Sequence, residues 1–155
     1  MLISDLLSPE KICCDIRSSS KKRLLETISR ELARNSDGLS QREIFESLCA
    51  RERLGSTGLG KGVAIPHGRV KGSNDIQASF IRLKKPVSFD SIDGSPVDLL
   101  FAMAVPENCN DDHLSLLAQV AEVFSDPQLL KELRAAENSG TLLKILSNSQ
   151  HSSQH

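Results

Sequence analysis

The sequence has few aromatic residues and almost no net charge. Aromatic residues make up 3% of the 155 positions, with no Trp and no Tyr, and the formal net charge is -1. Proteins that bind nucleic acid stack bases on aromatic rings and attract the phosphate backbone with a basic surface. Both features are scarce here, so the composition disfavours nucleic-acid binding and charge-driven attachment to an anionic membrane.

Long apolar runs and paired cysteines are lacking too. No apolar run approaches the roughly 20 residues that span a bilayer. The segment Met1 to Glu10 has acidic and polar residues where a signal peptide needs a basic end and an apolar centre. The cysteines, which show no Cys-x-x-Cys spacing, are Cys13, Cys14, Cys49 and Cys109. We therefore expect a cytoplasmic protein with reduced thiols, in which Cys13 and Cys14 point to opposite faces of a strand.

The length and composition fit one globular domain. Hydrophobic residues make up 39% and charged residues 25% of the chain, which is enough for a sizeable core and a solvated surface. No internal repeat or flexible linker divides the chain. The sequence predicts a single domain over residues 1–147 and a polar, disordered tail over residues 148–155.

Hydrophobic spacing predicts a mixture of helices and strands. The predicted strands are Ile12–Ile16, Val63–Ile65, Ala78–Leu83 and Val97–Val105. Five helices are predicted: one after Ser20 that ends near Asn35, one from Ser40 to about Arg51, one over Asn110–Phe124, one that begins at Asp126 and Pro127, and one over Leu142–Leu146. Ser40 with Glu43 three residues later is typical of a capping box. The almost unbroken apolar run ending at Val105 indicates a strand buried on both faces. We expect an α/β fold with helices on both faces of the sheet.

The segment Gly55–Gly68 is unusually rich in glycine. It matches most of a nucleotide-binding phosphate loop through Gly60 and Lys61, but Gly62 stands where that loop needs Ser or Thr to hold magnesium. A predicted helix precedes the segment and a strand follows it, which is the reverse of the phosphate-loop context. Two interpretations stay open: a tight surface loop, or a nest of backbone N–H groups that binds phosphate without a metal.

His67 directly follows Pro66 in this segment. Proline fixes its own backbone angle and biases the residue before it, Ile65, toward an extended form. The imidazole is therefore displayed from a stiff element. A single histidine is more often a surface or packing residue, so a catalytic interpretation of His67 needs a second signal.

The second signal is a family resemblance. The pattern of Glu52, six residues, Leu59, Gly60, two residues, then Val63, Ala64, Ile65, Pro66, His67 and Gly68 closely resembles the active-histidine signature of the fructose and mannitol class of phosphotransferase-system enzyme IIA domains. The resemblance extends over nearly the whole chain. It implies a mixed β-sheet sandwiched between α-helices.

The resemblance also implies the site residues. His67 matches the family's phosphorylated histidine, and Arg51 and His113 match the residues beside it. A neutral imidazole nitrogen is a competent nucleophile, and Arg51 could neutralise charge on the phosphoryl oxygens. We expect His113 to donate a hydrogen bond to the phosphoryl group. We expect phosphate contacts from Thr57, Gly58 and Gly60, with no metal and no cofactor.

Lys61 indicates which branch of the family the chain resembles. Mannitol-type members resemble one another in an acidic residue six positions before the active histidine, where this chain has Lys61. The run from Gly55 to Gly60 instead resembles the nitrogen-regulatory branch. The expectation is a stand-alone regulatory IIA protein that receives phosphate from an HPr-like carrier (NPr) and binds regulatory targets according to phosphorylation state. A sugar-system IIA with a separate IIB, a non-phosphorylated interaction module and a weak homodimer stay open.

Overall fold

A computed structural model describes residues 3–153 of the chain apart from 35, 37, 73, 109 and 110. The helices are α1 (Ile3–Leu6), α2 (Lys21–Arg34), α3 (Gln41–Arg53), α4 (Asp111–Val123), α5 (Pro127–Ala135) and α6 (Ser139–Ser153), and the strands are β1 (Ile12–Ile16), β2 (Gly58–Gly60), β3 (Val63–Ala64), β4 (His67–Val70), β5 (Gln77–Val87) and β6 (Val97–Pro106). A short 3-10 helix, Pro9–Lys11, precedes β1.

The strands form one mixed sheet in the order β1-β5-β6-β3-β2. The long strands β5 and β6 are antiparallel and occupy the centre, and β1 runs parallel to β5. Both β3 and β4 run parallel to β6 and follow one another along its other side, while β2 pairs with β3 in antiparallel fashion. The sheet edge beyond β6 is therefore built from two short segments with a break between them.

Helices cover both faces of the sheet, and the alternation of side chains along β6 separates the two cores. Residues 99, 101, 103 and 105 pack with α1 and α4–α6, whereas residues 100, 102 and 104 pack with α2 and α3. Burying one such large apolar side chain stabilises the fold by roughly 1.5–3 kcal/mol. The predicted α/β sandwich, and the prediction that the last strand is buried on both faces, are confirmed.

Most predicted elements are confirmed with small changes at their ends. The Ser40 hydroxyl caps α3 by accepting a hydrogen bond from the Glu43 N–H at 3.3 Å. The Asp126 carboxylate caps α5 by accepting from the Gln128 N–H at 3.0 Å. Both caps lie where the sequence places them, because a side-chain oxygen is needed to satisfy the first N–H groups of a helix.

Three of the cysteines belong to the described residues, and all three are free thiols. Cys13 packs toward the α2–α3 core and Cys14 toward the opposite core, which confirms that they point to opposite faces of β1. Burial, with the Glu31 carboxylate nearby, raises the pKa of the Cys13 thiol to about 11. The prediction for Cys109 lies outside the described residues, as do the predicted helix ends at 35 and 110.

The last helix extends past residue 147, where the sequence predicts a polar tail. Helix α6 continues to Ser153. The hydroxyls of Ser147 and Ser149 donate to the carbonyls of Leu143 and Leu146, each at 2.8 Å. The polar side chains thus find partners on the preceding turn, past the point where the apolar pattern ends.

The strands β2 and β4 are absent from the sequence prediction. The predicted strand at 63–65 becomes β3, which ends at Ala64, and a second short strand begins at His67.

None of the helices in the described part of the chain is both long and apolar enough to cross a membrane.

Candidate active site

The break between β3 and β4 positions His67. Val63 pairs with Leu99 and His67 with Met103 on the same side of β6, so the chain leaves and rejoins one edge. Pro66 lies in the break, and its carbonyl accepts a hydrogen bond from the Met103 N–H at 3.0 Å. Because proline has no N–H to offer to the ladder, the break falls naturally here. His67 therefore opens a short strand that is fixed at both ends.

Gly68 lets helix α3 approach the strand closely. A Cβ atom at this position would lie 3.0 Å from the backbone carbonyl carbon of Ser47 and 2.3 Å from its Oγ. The same hydroxyl donates to the Arg69 carbonyl at 2.7 Å. Arg51 follows Ser47 by one helical turn, on the same face of α3. The glycine after the histidine is thus the contact that brings the end of α3 to the site.

The backbone fixes the tautomer of His67. Its Nδ1 lies 2.7 Å from the Ile65 carbonyl oxygen, which can only accept a hydrogen bond. Nδ1 therefore carries the proton, and Nε2 keeps its lone pair. Burial lowers the pKa of His67, and the Arg51 charge lowers it further, against the opposing effects of the Ile65 hydrogen bond and of Glu52. The ring is therefore neutral at pH 7, and its Nε2 is unprotonated.

His113 lies beside His67 in the first turn of α4. The two ring centroids are 5.7 Å apart, with the planes inclined at 61°. Only 6% of His113 is exposed, and among the residues the structure describes neither ring nitrogen has a hydrogen-bond partner. Burial lowers the pKa of His113, with smaller contributions from the His67 and Arg69 charges. A buried, unpartnered polar group is costly, so this ring needs an explanation beyond packing.

Arg51 and Glu52 lie in the last turn of α3, and both charges act on His67. Arg51 Nη1 donates to the Gly55 carbonyl at 2.9 Å, which holds the guanidinium over the turn that follows the helix. The Glu52 carboxylate turns the other way and is almost completely buried. It accepts from both the N–H and the hydroxyl of Thr57 and pairs with Lys21 Nζ at 2.9 Å. Glu52 is thus occupied by these partners, and the Arg51 charge lies close enough to His67 to lower the pKa of that ring.

The glycine-rich segment contains a β-hairpin, which the sequence did not predict. Strands β2 and β3 are joined through Lys61 and Gly62, whose φ angles of 58° and 82° are those of a type I′ turn. The Lys61 N–H donates to Asp93 at 2.9 Å. A phosphate loop opens a helix, so the hairpin agrees with the rejection of a nucleotide site.

The structure places the predicted phosphate ligands along this hairpin. The Thr57 N–H donates to Glu52 at 3.2 Å, and the Gly58 N–H donates to the Ser56 hydroxyl at 3.0 Å. Gly60, with φ 90°, has the Asp93 carboxylate beside it. Phosphate binding by the first two amides would need an exchange of partners, and the phosphate role of Thr57, Gly58 and Gly60 stays a prediction.

The structure thus brings His67, His113 and Arg51 to one edge of the sheet. Within the described residues, no three His, Cys, Asp or Glu side chains come together as a group that could hold a metal ion. Sequence reasoning missed Ile65, whose carbonyl sets the tautomer, and assigned no role to Glu52. A signal for Glu52 exists in its signature position, whereas no sequence signal points to a carbonyl two residues before the histidine.

The sheet between two helical layers, with two neighbouring histidines at one edge, agrees with one known class of protein. The family model described as phosphoenolpyruvate-dependent sugar phosphotransferase system, EIIA 2, matches residues 5–149, and the chain belongs to this family.

Within this family, the chain is similar to nitrogen regulatory proteins. A nitrogen regulatory protein of Bradyrhizobium diazoefficiens is 40% identical over 146 residues, which are 94% of this chain and 95% of the relative. One of Pseudomonas aeruginosa is 40% identical over 144 residues, or 93% and 94% of the two chains. The crystal structure of nitrogen regulatory protein IIA-Ntr from Neisseria meningitidis superposes with a TM-score of 0.88 at 44% identity and covers 93% of this chain and 98% of that one.

Proposed function

We propose that this protein is a nitrogen-regulatory IIA protein that accepts a phosphoryl group on His67 from an HPr-like carrier (NPr). The observation that carries the proposal is the hydrogen bond from His67 Nδ1 to the Ile65 carbonyl. It leaves Nε2 unprotonated beside a second buried histidine that has no hydrogen-bond partner among the described residues. The family and the nitrogen regulatory relatives support the same interpretation.

The transfer needs no metal and no net proton movement at His67. The Nε2 lone pair attacks the phosphorus of the carrier's phosphohistidine. The bond from phosphorus to Nε2 forms as the bond to the carrier's nitrogen breaks, and the electron pair of that bond stays on the carrier's imidazole. Nδ1 keeps its proton throughout, and its bond to the Ile65 carbonyl strengthens as the ring becomes positive.

Arg51 and His113 stabilise the transferred group. The guanidinium of Arg51 offsets the charge on the phosphoryl oxygens, as cationic side chains do in other phosphoryl transfers. His113 is neutral at pH 7 and has one ring N–H, which donates to a phosphoryl oxygen. The first turn of α4 adds the positive end of a helix dipole beside His113.

Phosphorylation then acts as a signal to partner proteins. The group adds a charge of about -1.5 to -2 beside the positive charge of Arg51, which acts on the His67 ring. This change strengthens contacts with a basic partner surface and weakens contacts with an acidic one. We place the protein, its carrier and its regulatory targets in the cytoplasm.

The test is phosphoryl transfer from the phosphorylated carrier. Wild type should gain phosphate that is labile in acid and stable in base, and His67→Ala should gain none. Arg82→Lys, which keeps a cation far from the site, serves as the control and should label at the wild-type rate. Equal labelling of His67→Ala would overturn the assignment, and absence of labelling in every form would leave the fold as an interaction module.

Transfer to a IIB domain distinguishes a role in a sugar system from a regulatory role. The family description includes sugar phosphotransfer, so the labelled protein should also be mixed with isolated IIB domains. We expect no rapid transfer to a IIB cysteine. Efficient transfer to one IIB would assign the protein to a sugar system and contradict the regulatory role.

A further inference from the structure

The buried carboxylate of Glu52 lies next to the site without a role in the chemistry described above. Its side chain is 5% exposed. One oxygen, Oε1, accepts from the Thr57 N–H at 3.2 Å and pairs with Lys21 Nζ at 2.9 Å. The other, Oε2, accepts a very short bond from the Thr57 hydroxyl. Both oxygens are thus engaged, and the charge is neutralised inside the protein.

Backbone bonds connect this carboxylate to the histidine. The Thr57 carbonyl accepts from the Ile65 N–H at 3.1 Å. The carbonyl of the same Ile65 accepts from His67 Nδ1 at 2.7 Å. Glu52 therefore fixes Thr57, Thr57 fixes Ile65, and Ile65 selects the tautomer of His67.

Lys21 anchors the other end of the network. Its ammonium lies 4.5 Å from the centroid of the Phe89 ring and 3.5 Å from the Asp90 carboxylate. The hydroxyl of Ser56 donates to the Phe89 carbonyl at 2.6 Å, so the turn after α3 is tied to the same segment. The carboxylate thus joins α2, α3 and the hairpin at the point where they meet the site.

We propose that Glu52 is a positioning residue that keeps His67 in the Nδ1–H tautomer, so that Nε2 is free to accept the phosphoryl group. Its role in transfer rests on the proposed function, whereas its effect on the tautomer does not. The hydrogen bonds that the carboxylate accepts from Thr57 carry this role, because the Thr57 carbonyl holds the N–H of Ile65 and the Ile65 carbonyl holds His67 Nδ1.

The variants separate hydrogen bonding from charge. Glu52→Ala removes every contact. Glu52→Gln keeps one oxygen that accepts a hydrogen bond from Thr57 and an N–H that can donate to the Thr57 hydroxyl, and it loses the charge and the ion pair with Lys21. Thr57→Val removes the hydroxyl bond and keeps the backbone N–H. Glu46→Gln is the matched control, because Glu46 lies on the same helix in an exposed pair with Arg42.

The first readout is the tautomer of His67 in the unphosphorylated protein, measured from the nitrogen chemical shifts of labelled histidine. Wild type and the Glu46→Gln control should show Nδ1–H. Glu52→Ala should show a mixture of both tautomers, and Glu52→Gln should return most of the Nδ1–H form. If Glu52→Ala does not fold, Thr57→Val takes its place with a partial shift.

The second readout is the rate of phosphorylation by the carrier. Glu52→Ala should be roughly ten- to a hundredfold slower, the range that a small misplacement of a reacting group produces. Glu52→Gln should recover most of the rate. An unchanged tautomer in Glu52→Ala, or in Thr57→Val where it is the substitute, would overturn the proposal, as would equal slowing by Gln and Ala. Failure of wild type to label would overturn the proposed function and would leave the tautomer test standing.

Discussion

Arg82 and His113 are both buried polar side chains, but they differ in their hydrogen-bond partners. Arg82 Nη1 donates to the Leu133 carbonyl at 3.0 Å and also to the Ala136 carbonyl, and its Nη2 pairs with Asp15 at 3.3 Å. His113 is buried to a similar degree, yet neither of its ring nitrogens has a partner among the described residues.

The difference separates stability from function. The guanidinium of Arg82 joins strand β5 to the C-terminal end of α5, where helix carbonyls lack internal partners. Its contacts are internal to the fold. His113 forms no such bond to any residue that the structure describes, so burying its nitrogens is unfavourable, and under the proposed function a phosphoryl group would offset this cost.

The largest effect should follow from replacing His113 with an apolar residue of similar size. His113→Leu removes the donor to the phosphoryl group, and transfer from the carrier should slow roughly a hundredfold, the loss seen when one stabilising donor is removed from an active site. Stability should be unchanged or higher, because no hydrogen bond is lost. Transfer rates and urea unfolding of the same sample check both halves. If the variant is slow and also strongly destabilised, this would contradict the claim that His113 serves function and not stability.

Replacing Arg82 should have the opposite outcome. Arg82→Met leaves the carbonyls of Leu133 and Ala136 without their donor and should lower the free energy of unfolding by about 2–3 kcal/mol. Transfer at a temperature where the variant is folded should stay at the wild-type rate. Arg42→Met is the control, since Arg42 forms an exposed pair worth roughly 0–1 kcal/mol. Equal destabilisation by the two variants would contradict the structural role of Arg82.

Arg51 and Glu52 should move the pKa of His67 in opposite directions. Arg51→Gln removes a positive charge, so the pKa should rise, and Glu52→Gln removes a negative charge, so the pKa should fall. Titration of the His67 ring by NMR measures both shifts. Shifts of the same sign would mean that these charges do not act on the ring as the structure arranges them.

The smallest effect concerns stability against pH. Burial lowers the pKa of His67 and of His113, so the unfolded chain binds more protons below its ordinary histidine pKa of about 6.5. Stability is therefore full above that value and falls as the pH drops toward the lowered values. Urea unfolding should show less stability at pH 5.5 than at pH 7.5. The double variant His67→Leu, His113→Leu should flatten this slope, and an unchanged slope would contradict the account.

The sequence predicts the framework well because its signals are local. Apolar spacing places α2, α3, α5 and the central strands, and the caps at Ser40 and Asp126 lie next to the groups they satisfy. The short strand β2 is missed because Gly58–Gly60 has low strand propensity and forms only through pairing with β3. The Lys61–Gly62 turn is the local signal that could have indicated a hairpin.

The site depends on contacts that no local pattern contains. His67 stands out through its signature, and the family resemblance supplied His113 and Arg51 from distant parts of the chain. The tautomer of His67 depends on the break between β3 and β4, where the Ile65 carbonyl lies within hydrogen-bond distance of the ring. The burial of Glu52 depends on helix α2 supplying Lys21 across 31 positions of sequence, which only the folded chain reveals.

The most direct test is to find which nitrogen carries the phosphorus. Protein with labelled histidine is phosphorylated by the carrier, and the coupling between phosphorus and nitrogen is measured by NMR. The account predicts phosphorus on Nε2 of His67, with Nδ1 still protonated and bonded to the Ile65 carbonyl. Phosphorus on Nδ1 of His67, or on any other residue, would contradict it.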